Sequence, residues 1–190
     1  MKRFGIGGLI AALSALLFGC AQSTADIPAV GSFDPQRYMG VWYEIARLPH
    51  RFERGLDFVR AEYTLNPDGS IRVVNSGIRD GEPRSIVGRA KLKRSGAAMP
   101  EGELEVSFFR PFYGDYRIIE LDPEYRYAVV TGSSRDYLWI LAREPEMDKA
   151  LMARLLDRIG RWGFAVDQLE FPRHSAAAAK NATRSPAQDR

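Results

Sequence analysis

From Trp42 to Arg143 the side chains alternate in character with a period of two, and this alternation is what most limits the fold. Such a period places successive side chains on opposite faces of a strand. Ala61, Tyr63 and Leu65 alternate with Arg60, Glu62 and Thr64. Asn66-Pro67-Asp68-Gly69 follows as a turn, because Pro fixes φ while Asp and Gly accept turn geometry. Ile71, Val73 and Asn75 then alternate with Arg72, Val74 and Ser76, which completes a hairpin. Ile86, Gly88, Ala90 and Leu92 alternate with Val87, Arg89, Lys91 and Lys93, and Leu104, Val106 and Phe108 with Glu103, Glu105 and Ser107. Further strand-like runs cover 116–121, 125–131 and 137–143. With the strand at Trp42 the pattern predicts eight strands, spaced at about 8–12 residues as in a sandwich or barrel.

The early strands are polar on one face, whereas the last three are apolar on both. A sheet buried on both faces needs an outer cover. After Pro145, a residue suited to a helix start, Leu151, Met152, Leu155 and Ile159 recur at helical spacing. The spacing predicts one helix packed outside the later strands, stopped near Gly160 and Gly163, with a short final strand at 168–171.

The chain ends carry different signals. Lys2 and Arg3 precede an uncharged, mostly apolar stretch from Phe4 to Phe18, shorter than the roughly 20 residues that span a bilayer. Residues 1–19 read as a targeting segment. Leu17-Phe18-Gly19-Cys20 resembles the lipobox of bacterial lipoproteins, with a bulkier Phe18 than usual. Cys20 is the only cysteine, so no internal disulfide forms and lipidation is its expected use. Ala21 follows, and by resemblance to enterobacterial lipoproteins the absence of Asp there favours the outer membrane. Residues 20–31 are expected to be the lipidated N-terminus and a tether, 32–173 the folded domain, and 174–190 a disordered tail. Removing 19 residues leaves 171, enough for one domain with a real core. Loss of Lys2 and Arg3 takes the formal charge from +3 to +1, which is no electrostatic footprint for nucleic acid.

Gly40 and Trp42 stand at the start of the first strand, after Phe33-Asp34-Pro35-Gln36-Arg37-Tyr38. Arg143 ends the eighth. In an up-and-down barrel the first and last strands are neighbours, so Arg143 is expected near the Trp42 indole, as a cation–π contact that closes one end. Gly40 admits a close backbone approach at that point.

These residues carry a family resemblance. The chain resembles the lipocalins, and most closely the bacterial outer-membrane lipoprotein lipocalins, with apolipoprotein D and the plant temperature-induced lipocalins as relatives. The resemblance lies in residues 33–47, His50-Arg51-Phe52-Glu53-Arg54-Gly55, Phe108-Phe109-Arg110-Pro111-Phe112-Tyr113-Gly114-Asp115-Tyr116, and Arg135-Asp136-Tyr137-Leu138-Trp139-Ile140-Leu141-Ala142-Arg143. It implies an all-β fold: an eight-stranded antiparallel up-and-down barrel with one C-terminal helix outside. It further implies small hydrophobic ligands; bacterial members are associated with fatty acids and lysophospholipids. The expected setting is the bacterial outer membrane, lipid-anchored through Cys20 and facing the periplasm.

If Trp42 points inward, parity and the family pattern give a barrel lining of Glu44, Ala46, Tyr63, Val73, Asn75, Val106, Phe108, Tyr116, Ala128, Trp139 and Leu141. A mostly apolar wall with few polar handles suits an amphipathic ligand. Its anionic head group would meet Arg47, His50, Arg51 or Tyr113 near the open end. Glu44, if inward, must be solvated, protonated or paired with an inward Arg.

Three other readings compete. The barrel interior could be filled by its own side chains. Exposed Phe109, Phe112 and Tyr113 could instead serve a partner or membrane contact in a ligand-free lipoprotein. An enzyme is disfavoured: there is no Gly-x-Ser-x-Gly elbow, the thiol of Cys20 is expected to be acylated, and His50 and His174 are the only histidines. Ser133, Ser134 and Asp136 read as turn chemistry. No metal or cofactor is expected from so few ligating residues. Arg89, Lys91 and Lys93 read as a solvated strand face. Oligomeric state is left open.

Overall fold

Closure of the barrel begins with a cap. In the computed structural model, which describes residues 22–93 and 101–174, the Asp34 carboxylate accepts a hydrogen bond from the Gln36 amide at 2.9 Å. With Pro35 in the first turn, this starts a one-turn helix α1 (Pro35–Tyr38). The turn drops Phe33 and Tyr38 across one end of a closed barrel, where both are fully buried.

The strands are β1 (Gly40–Arg47), β2 (Asp57–Leu65), β3 (Ile71–Arg79), β4 (Glu82–Leu92), β5 (Glu103–Phe109), β6 (Phe112–Leu121), β7 (Tyr127–Thr131) and β8 (Leu138–Ala142). Each pairs antiparallel with the next, and β1 pairs with β8, so the eight strands form a closed up-and-down barrel. Strands β4 and β6 begin earlier than the alternation alone suggests, at Glu82 and Phe112. Their first turns are exposed and mark the open end.

The closing contact is that of Arg143 with Trp42. The guanidinium carbon lies 3.9 Å from the indole centroid. Arg143 also donates to three carbonyls: Val41 at 2.8 Å, Arg37 at 2.8 Å and Tyr125 at 3.3 Å. Trp42 donates its indole N–H to the Tyr38 carbonyl at 2.8 Å. Gly40 has φ +93, and a Cβ there would lie 3.4 Å from the Arg143 guanidinium, so glycine serves both the left-handed backbone and the arginine. Phe33, Tyr38, Tyr125 and Trp42 stack into one aromatic floor.

Helix α2 (Lys149–Arg161) lies outside. It starts after the position suggested by Pro145, because the Asp148 side chain accepts from the Leu151 amide and caps it there. Gly160 lies inside the helix, and the chain turns at Gly163 with φ +82. Its apolar face, Leu151, Met152, Leu155 and Ile159, packs with Ile45, Ile119, Val129 and Ile140. This is the cover that the doubly apolar strands required. The expected last strand contracts to a 3-10 turn (Val166–Gln168) and a single bridge between Glu170 and Arg47.

Residues 22–31 are not a free tether. Thr24 and Ile27 are buried, and Arg117 of β6 donates to the carbonyls of Thr24 at 2.5 Å and Ile27 at 2.7 Å. The segment lies against the barrel wall because a buried guanidinium finds its acceptors there. His174, assigned by composition to the tail, packs its ring on Tyr43 and Phe58 and lies 2.8 Å from the Glu44 carbonyl. Cys20, the targeting segment and residues 175–190 fall outside the described residues.

Replacing Arg143 with Ala removes the cation–π contact and leaves three carbonyls without their donor. The expected loss is about 2–4 kcal/mol. Urea unfolding of the variant checks it, and a midpoint equal to wild type contradicts the closure described here. Arg143→Lys restores the charge but not the fork, so it is expected to recover only part of the loss.

Candidate functional site

Above the aromatic floor lies a cavity of about 640 Å³, within the roughly 300–1,000 Å³ common for small-molecule sites. Of the residues expected to line it, Glu44, Tyr63, Val73, Asn75, Val106, Phe108, Tyr116, Trp139 and Leu141 do so. The barrel is therefore not filled by its own side chains.

Two residues are placed elsewhere. The β1–β8 pairing shifts register between Glu44 and Ala46, and such a bulge reverses the faces of the residues beyond it. Ala46 consequently packs with the outer cluster under the helix rather than in the cavity. Ala128 faces inward but joins Trp42, Tyr38 and Phe33 in the floor.

The lower wall is held by tyrosines. Tyr116 bridges Tyr38 at 2.7 Å and Tyr63 at 2.9 Å, oxygen to oxygen. Burial raises all three phenols above their ordinary range, so each stays neutral. Gly88 of β4 makes room for the Phe108 ring of β5. A Cβ there would sit 2.7 Å from the Phe108 ring and 2.9 Å from the Ser107 carbonyl.

The upper wall carries a polar cluster that period-two reasoning does not reveal. Glu53, in the β1–β2 loop, accepts the Trp139 indole N–H at 3.0 Å, and His50 Nε2 lies 2.8 Å from the same carboxylate. The His50 ring meets Trp139 edge-on and lies 6.0 Å from Tyr137, centroid to centroid. Burial would raise the Glu53 carboxyl, but His50, Trp139 and Arg47 together hold it below its usual range. Glu44 goes the other way: burial, and then the nearby Glu53 charge, push its carboxyl well up despite the opposing pull of Arg47. The two acids titrate as a unit with opposite tendencies. Asn75 Oδ1 and His50 Nδ1 are buried without a hydrogen-bond partner among the described residues.

Of the four groups expected to meet a head group, Arg47 is already engaged. It is buried, 2.6 Å from Glu44 and 2.9 Å from Glu170. His50 points to Glu53, Arg51 lies over the Phe52 ring, and Tyr113 is capped by Lys91. Arg60, Arg79 and Arg84 line the upper cavity instead. Arg79 and Arg84 lie on strand ends that the alternation does not cover, whereas Arg60, assigned by alternation to the face of Glu62 and Thr64, stands where the β2–β3 register shifts between Asp57 and Arg60. Among the described residues no three His, Cys, Asp or Glu side chains are grouped to hold a metal ion.

The sequence matches the lipocalin-like domain family over residues 33–174. It is 44% identical over 166 residues to outer membrane lipoprotein Blc of Citrobacter freundii, covering 85% of this chain and 93% of that one. Against temperature-induced lipocalin-1 of Arabidopsis thaliana it is 36% identical over 153 residues, covering 76% and 81%. Among solved structures, insecticyanin from the tobacco hornworm Manduca sexta superposes with a TM-score of 0.69 at 19% identity, covering 84% of this chain and 90% of that one.

Gly88→Ala is expected to push Phe108 into the cavity and to cost about 1–3 kcal/mol of stability. A crystal structure of the variant with Phe108 unmoved contradicts this packing. Glu44 supplies a pH test. An acid whose carboxyl is raised on folding adds stability at low pH that is lost as pH rises through the raised value. Wild type is thus expected to lose stability relative to Glu44→Gln as pH climbs above the ordinary value of 4.5. Urea unfolding across pH measures the difference, and an opposite slope refutes the raised carboxyl.

Proposed function

Because this chain belongs to the lipocalin family, we propose that it binds, stores or carries a small amphipathic lipid, a fatty acid or lysophospholipid, in its barrel. The site of action proposed is the bacterial outer membrane, with Cys20 as the lipidated anchor and the domain facing the periplasm. The observation that carries this reading is the cavity: sealed at the Trp42 floor, apolar through Val73, Val106, Phe108 and Leu141, and polar near its mouth. That gradient matches an acyl chain below and a polar head above. Arg79 and Arg84 are the cations placed to meet an anionic head, rather than Arg47. Asn75 Oδ1 and His50 Nδ1 offer further partners for hydroxyl or amide groups. The placement is supported by the names of the relatives, outer membrane lipoproteins of Citrobacter freundii and Escherichia coli. Family membership favours binding over catalysis.

The experiment is a titration of soluble protein starting at Ala21 with fatty acids and lysophospholipids, read by tryptophan fluorescence and native mass spectrometry. One-to-one saturable binding with a chain-length optimum is the expected result. No binding at any chain length overturns the reading in favour of a ligand-free, partner-binding lipoprotein. Trp139 lines the cavity, Trp42 is sealed in the floor, and Trp162 packs near the helix. Trp139→Phe is therefore expected to remove most of the fluorescence change, and a response of full size in that variant places the ligand elsewhere.

A further inference from the structure

The N-terminal segment has a direction. Ser23 bridges Ser134 in the β7–β8 turn, the Thr24 amide donates to the Ser133 carbonyl at 3.1 Å, and the Arg135 amide donates to Gln22 at 2.8 Å. Thr24 Oγ1 donates to the Gly132 carbonyl at 2.7 Å. Strand β7 ends and β8 begins at the open end, opposite the Trp42 floor. From there the segment descends the outer wall, gripped by Arg117, and reaches Gly102 and Ile118 through Val30 before α1. Gln22, where the described chain begins, is therefore held at the open-end turn between β7 and β8.

The same end carries an unusual surface. Phe112 is 77% exposed, Phe109 63% and Phe52 58%, with Tyr113 and Tyr137 beside them. Arg51, Arg54, Arg84 and Arg110 stand in or beside these loops and form no ion pair among the described residues. Of the acids there, Asp57 is paired with Arg173, Asp115 with Lys93, and Glu53 is engaged inside by His50, which leaves Asp80, Glu82 and Asp136. Among the described residues the closed end differs: the turns at 66–69 and 122–126 show no exposed large apolar side chain.

We infer that the rim of the open end is a contact surface for a phospholipid bilayer, which seats the mouth of the cavity on the leaflet. Aromatic side chains settle at the level of lipid head groups. Arginines beside them meet anionic phosphates near a charged surface. The segment beginning at Gln22 is bonded to the turn at the same rim. The inference rests on the envelope placement proposed above and deepens it: a lipid passes between leaflet and cavity without crossing open water.

The test is hydrogen exchange of the full chain on vesicles of phosphatidylethanolamine and phosphatidylglycerol, followed by mass spectrometry. Amides at 50–55 and 109–113 are expected to slow by roughly tenfold or more, while those at 66–69 and 122–126 keep their solution rates. The double variant Arg54→Glu, Arg110→Glu, which touches no cavity-lining residue, is expected to weaken vesicle binding by roughly tenfold or more. Slowing at the closed end or along α2, equal rates throughout, or failure to associate with vesicles overturns the inference. The lysophospholipid titration is repeated in solution on this full chain. Intact titration with an unprotected rim refutes the surface alone, whereas a failed titration with a protected rim refutes the ligand reading and leaves the surface standing.

Discussion

Everything in this barrel depends on how its first and last strands are locked. Strands alone leave edges, and an eight-stranded sheet without closure offers two of them. Backbone pairing of β1 with β8 removes the edges, but the end of the barrel still exposes carbonyls and a large indole. Arg143 resolves both at once, with its plane over Trp42 and its donors on Arg37, Val41 and Tyr125. A lysine has one donor centre and no plane, so the arrangement requires arginine. The aromatic floor that follows makes the cavity one-ended, with its only broad opening on the side away from Trp42 among the described residues.

The cavity wall is built from two kinds of constraint. Its lower part is neutral and rigid, with three buried phenols sharing hydrogen bonds and a glycine that lets Phe108 lie flat against β4. Its upper part is ionic and coupled. Glu44 and Glu53 share Arg47 as a neighbour; burial raises both carboxyls, and His50 and Trp139, which act on Glu53, set the two apart. A buried ion pair contributes little net stability relative to an apolar isostere. The cluster fixes the β1–β2 loop, through Glu53 and His50, to the side chain of Trp139 on β8. The loop over the mouth and the tryptophan inside it are thereby mechanically one unit.

The segment before the barrel ties the outside of the fold to its mouth. Arg117 pairs through Nε with Glu103 on β5, and its two remaining guanidinium nitrogens find their acceptors in the carbonyls of Thr24 and Ile27. Its need for acceptors and the segment's need for donors are met by the same contact. Arg135 performs the same service one turn away, with Asp26 at 2.5 Å and the Trp162 carbonyl at 2.6 Å. The segment therefore belongs to the wall.

The sequence by itself determined the number of strands, their alternation, the external helix and the pairing of Gly40 and Trp42 with Arg143, because each follows from a local period or from the ends of an up-and-down order. It also placed most of the cavity lining, since parity carries along an unbroken strand. Parity failed at Ala46, where a bulge after Glu44 turned the rest of β1 over; nothing in Glu44-Ile45-Ala46 marks a bulge. Tertiary structure alone decided the His50–Glu53–Trp139 cluster, whose members meet across 86 positions of chain, and the docking of residues 22–31. That segment has no period because it pairs with irregular carbonyls and two distant arginines, Arg117 and Arg135. Local periodicity reports which face a residue takes, but register shifts and loop contacts are set by partners far away in sequence. Only the folded barrel brings those partners together.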